Sequence, residues 1–199
     1  MGITSRKPGV RVLLYVLFGV VIAAAALVRL SRRPPEPPPV LGILPPFHLV
    51  DQNGEGFSRD DLLGKLWLAD FIFTTCSGPC PVMSGQFAQF QKRFSPMRDF
   101  RLLSISVNPE YDTPAILREY GNRFGADHTR WTFLTGDPGA IHRLAVDGFH
   151  VGSIEKPMFH STRFVLVDSK GQIRGYYISS ETQEMARLER DLKSLAAGS

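Results

Sequence analysis

The chain holds only two cysteines, Cys76 and Cys80, four residues apart in Cys76-Ser77-Gly78-Pro79-Cys80-Pro81. Such a pair can close a reversible disulfide or offer two sulfur ligands to one metal ion. A structural zinc site needs four protein ligands, and two thiolates fall short of it. Two buried structural cysteines would behave as small hydrophobes, but a Gly-Pro loop is expected in an exposed place rather than in a core. Pro81 suits a first helical turn, because its missing N–H would lack an intrahelical partner anyway. Cys80 is therefore expected at or beside the N-cap, where the helix terminus favours negative charge and lowers a thiol pKa. Gly78 loosens the loop between them. A redox role and a metal role both remain open on spacing alone.

The elements around this dithiol read as alternating strand and helix. Leu66 to Thr74 (LWLADFIFT) is a mostly apolar strand that ends just before Cys76. Met83, Phe87, Phe90 and Phe94 recur at helical spacing, so a helix over 81–95 would turn them toward a sheet. Phe100 to Val107 is a second strand, and 113–124 a helix with Ile116, Leu117, Tyr120 and Phe124 on one face. Trp131 to Thr135 is a short strand, and Asp137 caps a helix carrying Ile141, Leu144 and Ala145. Strands over 162–167 and 173–178 flank the turn Asp168-Ser169-Lys170-Gly171, and 181–197 is an amphipathic helix. Parallel pairing through crossover helices followed by an antiparallel pair implies an α/β fold with a mixed sheet covered on both faces. The thioredoxin fold has that organisation.

In such a sheet the chain before the 161–167 strand approaches the dithiol loop, which makes His160 the best placed of five histidines. Two thiolates and an imidazole suit copper: soft sulfur holds Cu(I), and imidazole with thiolate also holds Cu(II). His48, His128, His142 and His150 read as ordinary loop or surface residues, and Met83 as core. Nothing in the pattern assigns Met158.

Ahead of the domain, Val12 to Val28 is an unbroken run of apolar residues and glycine. Its 17 positions would span about 25 Å as a helix, short for a bilayer; Arg11 and Arg29 flank it and can snorkel. Residues 1–33 are expected to be an uncleaved membrane anchor with its helix at about 12–28. A cleaved signal peptide is the competing reading, with Arg6, Lys7 and Arg11 as its basic region and Ala23 to Ala26 offering a cleavage site. Residues 34–46 hold seven prolines and read as a stiff linker reaching roughly 40 Å, with the globular domain over 47–199. The formal charge of +4 gathers before Phe47, where the balance is +5; the remainder carries −1. The basic excess therefore belongs beside the apolar run, and nucleic-acid binding has no electrostatic support.

Four segments resemble the Sco family of copper chaperones for cytochrome oxidase assembly. They are Asp51-Gln52-Asn53-Gly54 through Leu63-Gly64-Lys65; Ala69 through the Cys76–Cys80 loop to Met83; Ser106-Val107-Asn108-Pro109-Glu110-Tyr111-Asp112-Thr113-Pro114; and His160-Ser161 through Leu166-Val167-Asp168-Ser169-Lys170-Gly171. The resemblance implies a thioredoxin-like domain with an N-terminal β-hairpin extension behind one transmembrane helix. It implies Cys76, Cys80 and His160 as copper ligands, for Cu(I) or Cu(II). It also implies copper delivery to, or preparation of, the binuclear centre of cytochrome oxidase subunit II or a similar copper protein, and a domain in the periplasm or its equivalent. Another copper chaperone or a thiol reductant would be a further partner. Asn108 stands where the family usually has aspartate.

The rival is a thiol–disulfide oxidoreductase that reduces the partner's cysteines with the same Cys76–Cys80 dithiol. A thiol peroxidase fits less well, since Ala69 and Phe73 occupy the proline and threonine positions of its usual motif before Cys76.

Overall fold

A computed structural model describes residues 8–31, 36–151 and 162–197. The chain forms two compact units, Met1–Pro35 and Glu36–Ser199. In the first, α1 (Pro8–Ser31) is a helix whose described side chains, from Val12 to Ile22, are exposed. Among the described residues no helix is long and apolar enough to cross a membrane.

The second unit is built on one eight-stranded sheet. Its strands are β1 (Gly42–Ile43), β2 (His48–Asp51), β3 (Gly56–Ser58), β4 (Leu66–Ile72), β5 (Phe100–Ser106), β6 (Trp131–Thr135), β7 (Arg163–Val167) and β8 (Gln172–Ile178). Their order across the sheet is β1-β8-β7-β4-β5-β6-β2-β3. β4, β5 and β6 run parallel, while β7 lies antiparallel to β4 and to β8. The helices are α2 (Pro79–Arg93), α3 (Pro114–Arg123), α4 (Pro138–Arg143) and α5 (Thr182–Ala197). The mixed sheet with helices on both faces is the expected architecture, and β2–β3 is the expected hairpin extension.

β4 is buried at all seven positions, as its apolar run requires. Side-chain alternation splits it between two cores. Leu66, Leu68 and Ile72 pack with Met83, Phe87 and Phe90 of α2, Leu117 of α3 and Leu188 of α5. Trp67, Ala69 and Phe71 pack on the other face with Ile141 and Leu144. Asp137 caps α4 as expected, accepting the Ala140 N–H at 2.7 Å. The helix then widens into a π turn over Leu144–Gly148.

Two boundaries differ from expectation. α2 begins at Pro79 rather than Pro81, since Pro79 is equally suited to the first turn, and Gly78 becomes the N-cap. The proline-rich segment is no free spacer. Leu41 N–H donates to Ile173 O at 2.8 Å, Leu44 N–H to Gly171 O at 3.0 Å, and β1 between them pairs with β8. Leu44 is wholly buried. Arg174 donates to the Pro38 carbonyl through Nε at 2.9 Å and pairs with Asp168 at 2.9 Å.

One residue on the α2 face breaks the apolar pattern. Asp70 is fully buried, and neither carboxyl oxygen has a formed hydrogen bond among the described residues. Burial raises its pKa to about 7, and Ser104, its register partner on β5, offsets only part of this. The folded state therefore takes up a proton that the unfolded chain releases near pH 4. Stability from this group is complete below about pH 4 and is lost as pH rises toward 7, by at most about 1.4 kcal/mol per pH unit. Denaturant titration from pH 4 to 8 should show that fall in the wild type. Asp70→Asn should flatten it, and an unchanged slope would show that the carboxyl does not titrate in this window.

Candidate dithiol and metal site

β4 has to end with its last backbone groups satisfied, because it lies in the middle of the sheet. It does so in a tight turn over Phe73–Cys76, closed by Cys76 N–H donating to Phe73 O at 3.1 Å. Thr74 inside the turn is tied to Asp112: its N–H donates to Oδ2 at 3.0 Å and its hydroxyl to Oδ1 at 2.5 Å. Ser77 and Gly78 then cross to α2, and Gly78 N–H points back at Cys76 Sγ, 3.4 Å away.

Both cysteines are free thiols, 8% and 4% exposed for Cys76 and Cys80. The exposed loop expected from Gly-Pro is thus corrected. The loop backbone lies at the rim, but the sulfurs fold under it and join the core formed with Met83 and Phe87. Met83 is core, as expected.

The thiols are unequal. Burial pulls the Cys76 pKa upward, but the Cys80 N–H, the Cys80 thiol and the Gly78 N–H all donate to its sulfur and bring it below the ordinary value. Burial pushes Cys80 up to about 12, and the Cys76 sulfur and the Asp70 carboxyl add to this. A backbone hydrogen bond from Phe73 opposes it only in part. The expectation that the helix terminus lowers Cys80 is therefore reversed. Cys80 is the second residue of α2, turned inward, and desolvation outweighs the favourable end of the helix. Cys76, outside the helix, collects the N–H donors instead.

The third expected ligand, His160, lies outside the described residues. Among the described residues no group of three metal-ligating side chains converges. His128 is engaged with Asn122 at 2.9 Å, and His150 with the Val146 carbonyl at 3.2 Å. The two sulfurs, buried in one cluster and each shifting the acidity of the other, fit a soft metal that takes thiolates. They supply two donors, so a complete site needs a further one. Sequence reasoning missed Asp70 and Asp112. The first was signalled by a lone carboxyl inside an apolar strand, whereas the second sits 38 residues from Thr74 with no local signal.

Comparison with known proteins places this geometry. The SCO1/SenC family pattern matches residues 37–197, which includes every strand. The SCO1 protein homolog of Bacillus subtilis is 33% identical, the alignment covering 75% of this chain and 80% of that protein. The structure of BsSco, a member of the Sco family of cytochrome c oxidase assembly proteins in which a disulfide switch is identified, superposes with a TM-score of 0.69. It is 31% identical and covers 80% of this chain and 97% of its own. Copper-bound ScoI of Bradyrhizobium japonicum gives a TM-score of 0.62 at 26% identity, over 75% of this chain and 98% of that one. With a matching thioredoxin-like fold and a pattern that spans nearly all of the second unit, the chain belongs to the SCO1/SenC family.

Proposed function

We propose that the domain carries copper for assembly of the copper centre of cytochrome c oxidase, holding it through Cys76, Cys80 and His160. The observation that carries this reading is the burial of both thiols in one cluster under the loop between β4 and α2, each shifting the acidity of the other. The copper-bound relative and the role named for BsSco support it. Copper is the cargo. Cys76, already biased toward thiolate, is the first donor; Cys80 gives up its proton as the second sulfur binds; the His160 imidazole completes the set. Hand-over to thiolates of a partner such as oxidase subunit II proceeds by ligand exchange, with no free ion released. A Cys76–Cys80 disulfide offers no thiolate, so oxidation of the pair closes the site.

The disulfide switch in BsSco favours a second reading, reduction of a partner's cysteines. Cys76 thiolate would attack a partner disulfide, expelling one partner thiolate and forming a mixed disulfide. Cys80 would then lose its proton and attack the Cys76 sulfur, releasing the second partner thiolate. Two electrons pass to the partner and the Cys76–Cys80 disulfide remains.

Attachment to a membrane belongs to the same reading. The apolar run 12–28 would embed, with Arg11 and Arg29 at the interfaces, and hold the domain on the extracytoplasmic side. A chain starting at Glu36 should leave the membrane fraction and keep its fold; retention would place the attachment elsewhere.

Anaerobic copper titration separates the two chemical readings. Wild type should bind one equivalent, and Cys76→Ser, Cys80→Ser and His160→Ala should each weaken binding by more than about tenfold, the low end of what loss of even an outer-shell partner costs a metal site. Undiminished binding in all three would refute the site. A pure reductase would keep its disulfide-exchange rate in His160→Ala. The thiol inequality has its own readout. Alkylation of the reduced protein should consume Cys76 first, with a pH midpoint below that of an ordinary thiol, while Cys80 stays unreactive through pH 9. Equal rates would remove the inequality.

A further inference from the structure

Asp112 is wholly buried in the turn between β5 and α3, and the dithiol chemistry makes no direct use of it. Its carboxyl accepts three hydrogen bonds: Thr74 N–H at 3.0 Å, the Thr74 hydroxyl at 2.5 Å and the Ser106 hydroxyl at 2.5 Å. The Ser106 oxygen accepts in turn from Asn108 N–H at 3.1 Å, and Asp112 N–H donates to the Asn108 carbonyl at 2.9 Å. One side chain thus ties together the ends of the two central parallel strands and the turn that follows β5. Among the described residues no cation pairs with it, so these donors are its partners.

The position of the tie matters more than its strength. Thr74 is a central residue of the Phe73–Cys76 turn, and the last residue of that turn is Cys76. Downstream, Cys76 is held through its sulfur rather than its backbone, by Gly78 N–H at 3.4 Å and by Cys80. Upstream, Asp112 fixes both the N–H and the hydroxyl of Thr74. Without that acceptor, two part-buried donors must find other partners, and among the described residues no other side-chain hydrogen bond holds the central residues of the turn.

We infer that Asp112 is a positioning residue for the dithiol: through Thr74 it sets where the Cys76 sulfur lies relative to the Gly78 and Cys80 donors. It touches neither sulfur and acts through backbone geometry. The turn from Ser106 to Thr113 and the dithiol loop then form one unit, and displacement of Asp112 is felt at Cys76 first. This deepens the copper reading and rests on it for its function, although the positioning is measurable without metal.

The test compares Asp112→Ala, Asp112→Asn and Thr74→Val in the full chain, each with the alkylation rate of Cys76 against pH and with copper retention. Asparagine keeps an acceptor for Thr74 N–H and Ser106 and can donate to the Thr74 oxygen, so it should remain within about threefold of wild type. Alanine should shift the rate or pH midpoint of Cys76 alkylation by at least about tenfold, with Cys80 still unreactive. Thr74→Val should move Cys76 in the same direction, and adding it to Asp112→Ala should cause little further change, as for two halves of one contact. If Asp112→Ala fails to fold, the Thr74→Val shift carries the test. A folded Asp112→Ala, or Thr74→Val, with Cys76 reactivity within twofold of wild type would overturn the positioning role. Altered Cys76 reactivity in a chain whose wild type binds no copper would keep the positioning and sink the copper reading. Copper bound equally by all variants, with Cys76 unmoved, would do the reverse.

Discussion

A strand buried on both faces at the centre of a sheet has to stop somewhere, and how β4 stops governs everything around the dithiol. Each of its residues is sealed from water, so its C-terminal backbone cannot fray into solvent. The chain turns within Phe73–Cys76 and enters α2 three residues later, with Asp112 collecting the Thr74 N–H past the strand end and the Cys76 sulfur collecting the Gly78 N–H at the start of α2. A sulfur used as a hydrogen-bond acceptor for backbone becomes more acidic by the same act. The lowered pKa of Cys76 therefore follows from how the strand end meets the start of α2.

The inequality between the sulfurs follows from depth. Cys80 sits inside the first turn of α2 and faces the core shared with Met83 and Phe87, so its charged form is penalised by desolvation. Each sulfur thereby biases the other, Cys76 toward thiolate and Cys80 toward thiol. Loading a metal or closing a disulfide would remove the Cys80 proton and bring the second sulfur into use. The buried Asp70 lies on the same face of β4 and adds a pH-dependent charge beneath the pair, so the proton inventory of the site extends past the two thiols.

Much of this was legible in the sequence wherever the signal was local. The apolar run of β4, the helical spacing of Met83, Phe87, Phe90 and Phe94, the Asp137 cap and the Asp168–Gly171 turn each carried their own pattern, and the sheet followed. The dithiol was legible as a pair but not in its polarity. Which cysteine turns inward depends on whether α2 starts at Pro79 or at Pro81, and both prolines suit the position. Asp112 was legible only as part of a family motif, because its partner Thr74 is distant in sequence and close only after β4 and β5 pair. Composition misled at 34–46: proline lacks an N–H but keeps a carbonyl, and the N–H groups of Leu41 and Leu44 between the prolines suffice to pair with β8.

That pairing protects part of a sheet edge. An edge strand leaves a row of unpaired backbone groups, and covering it is a common protection against pairing with other chains. Here the start of β8 is covered by the chain's own approach, through β1 and the Arg174 grip on the Pro38 carbonyl, which the ion pair to Asp168 holds in place. Residues from Pro38 to Leu44 are thereby committed to the sheet edge and do not add to the reach of a spacer. A stiff tether of thirteen residues would let the domain sample a wide shell; a segment bound along β8 fixes the exit of the chain on a known edge. The proline content of this segment had suggested a free spacer, yet its Pro38 carbonyl and the N–H groups of Leu41 and Leu44 commit it to the sheet edge.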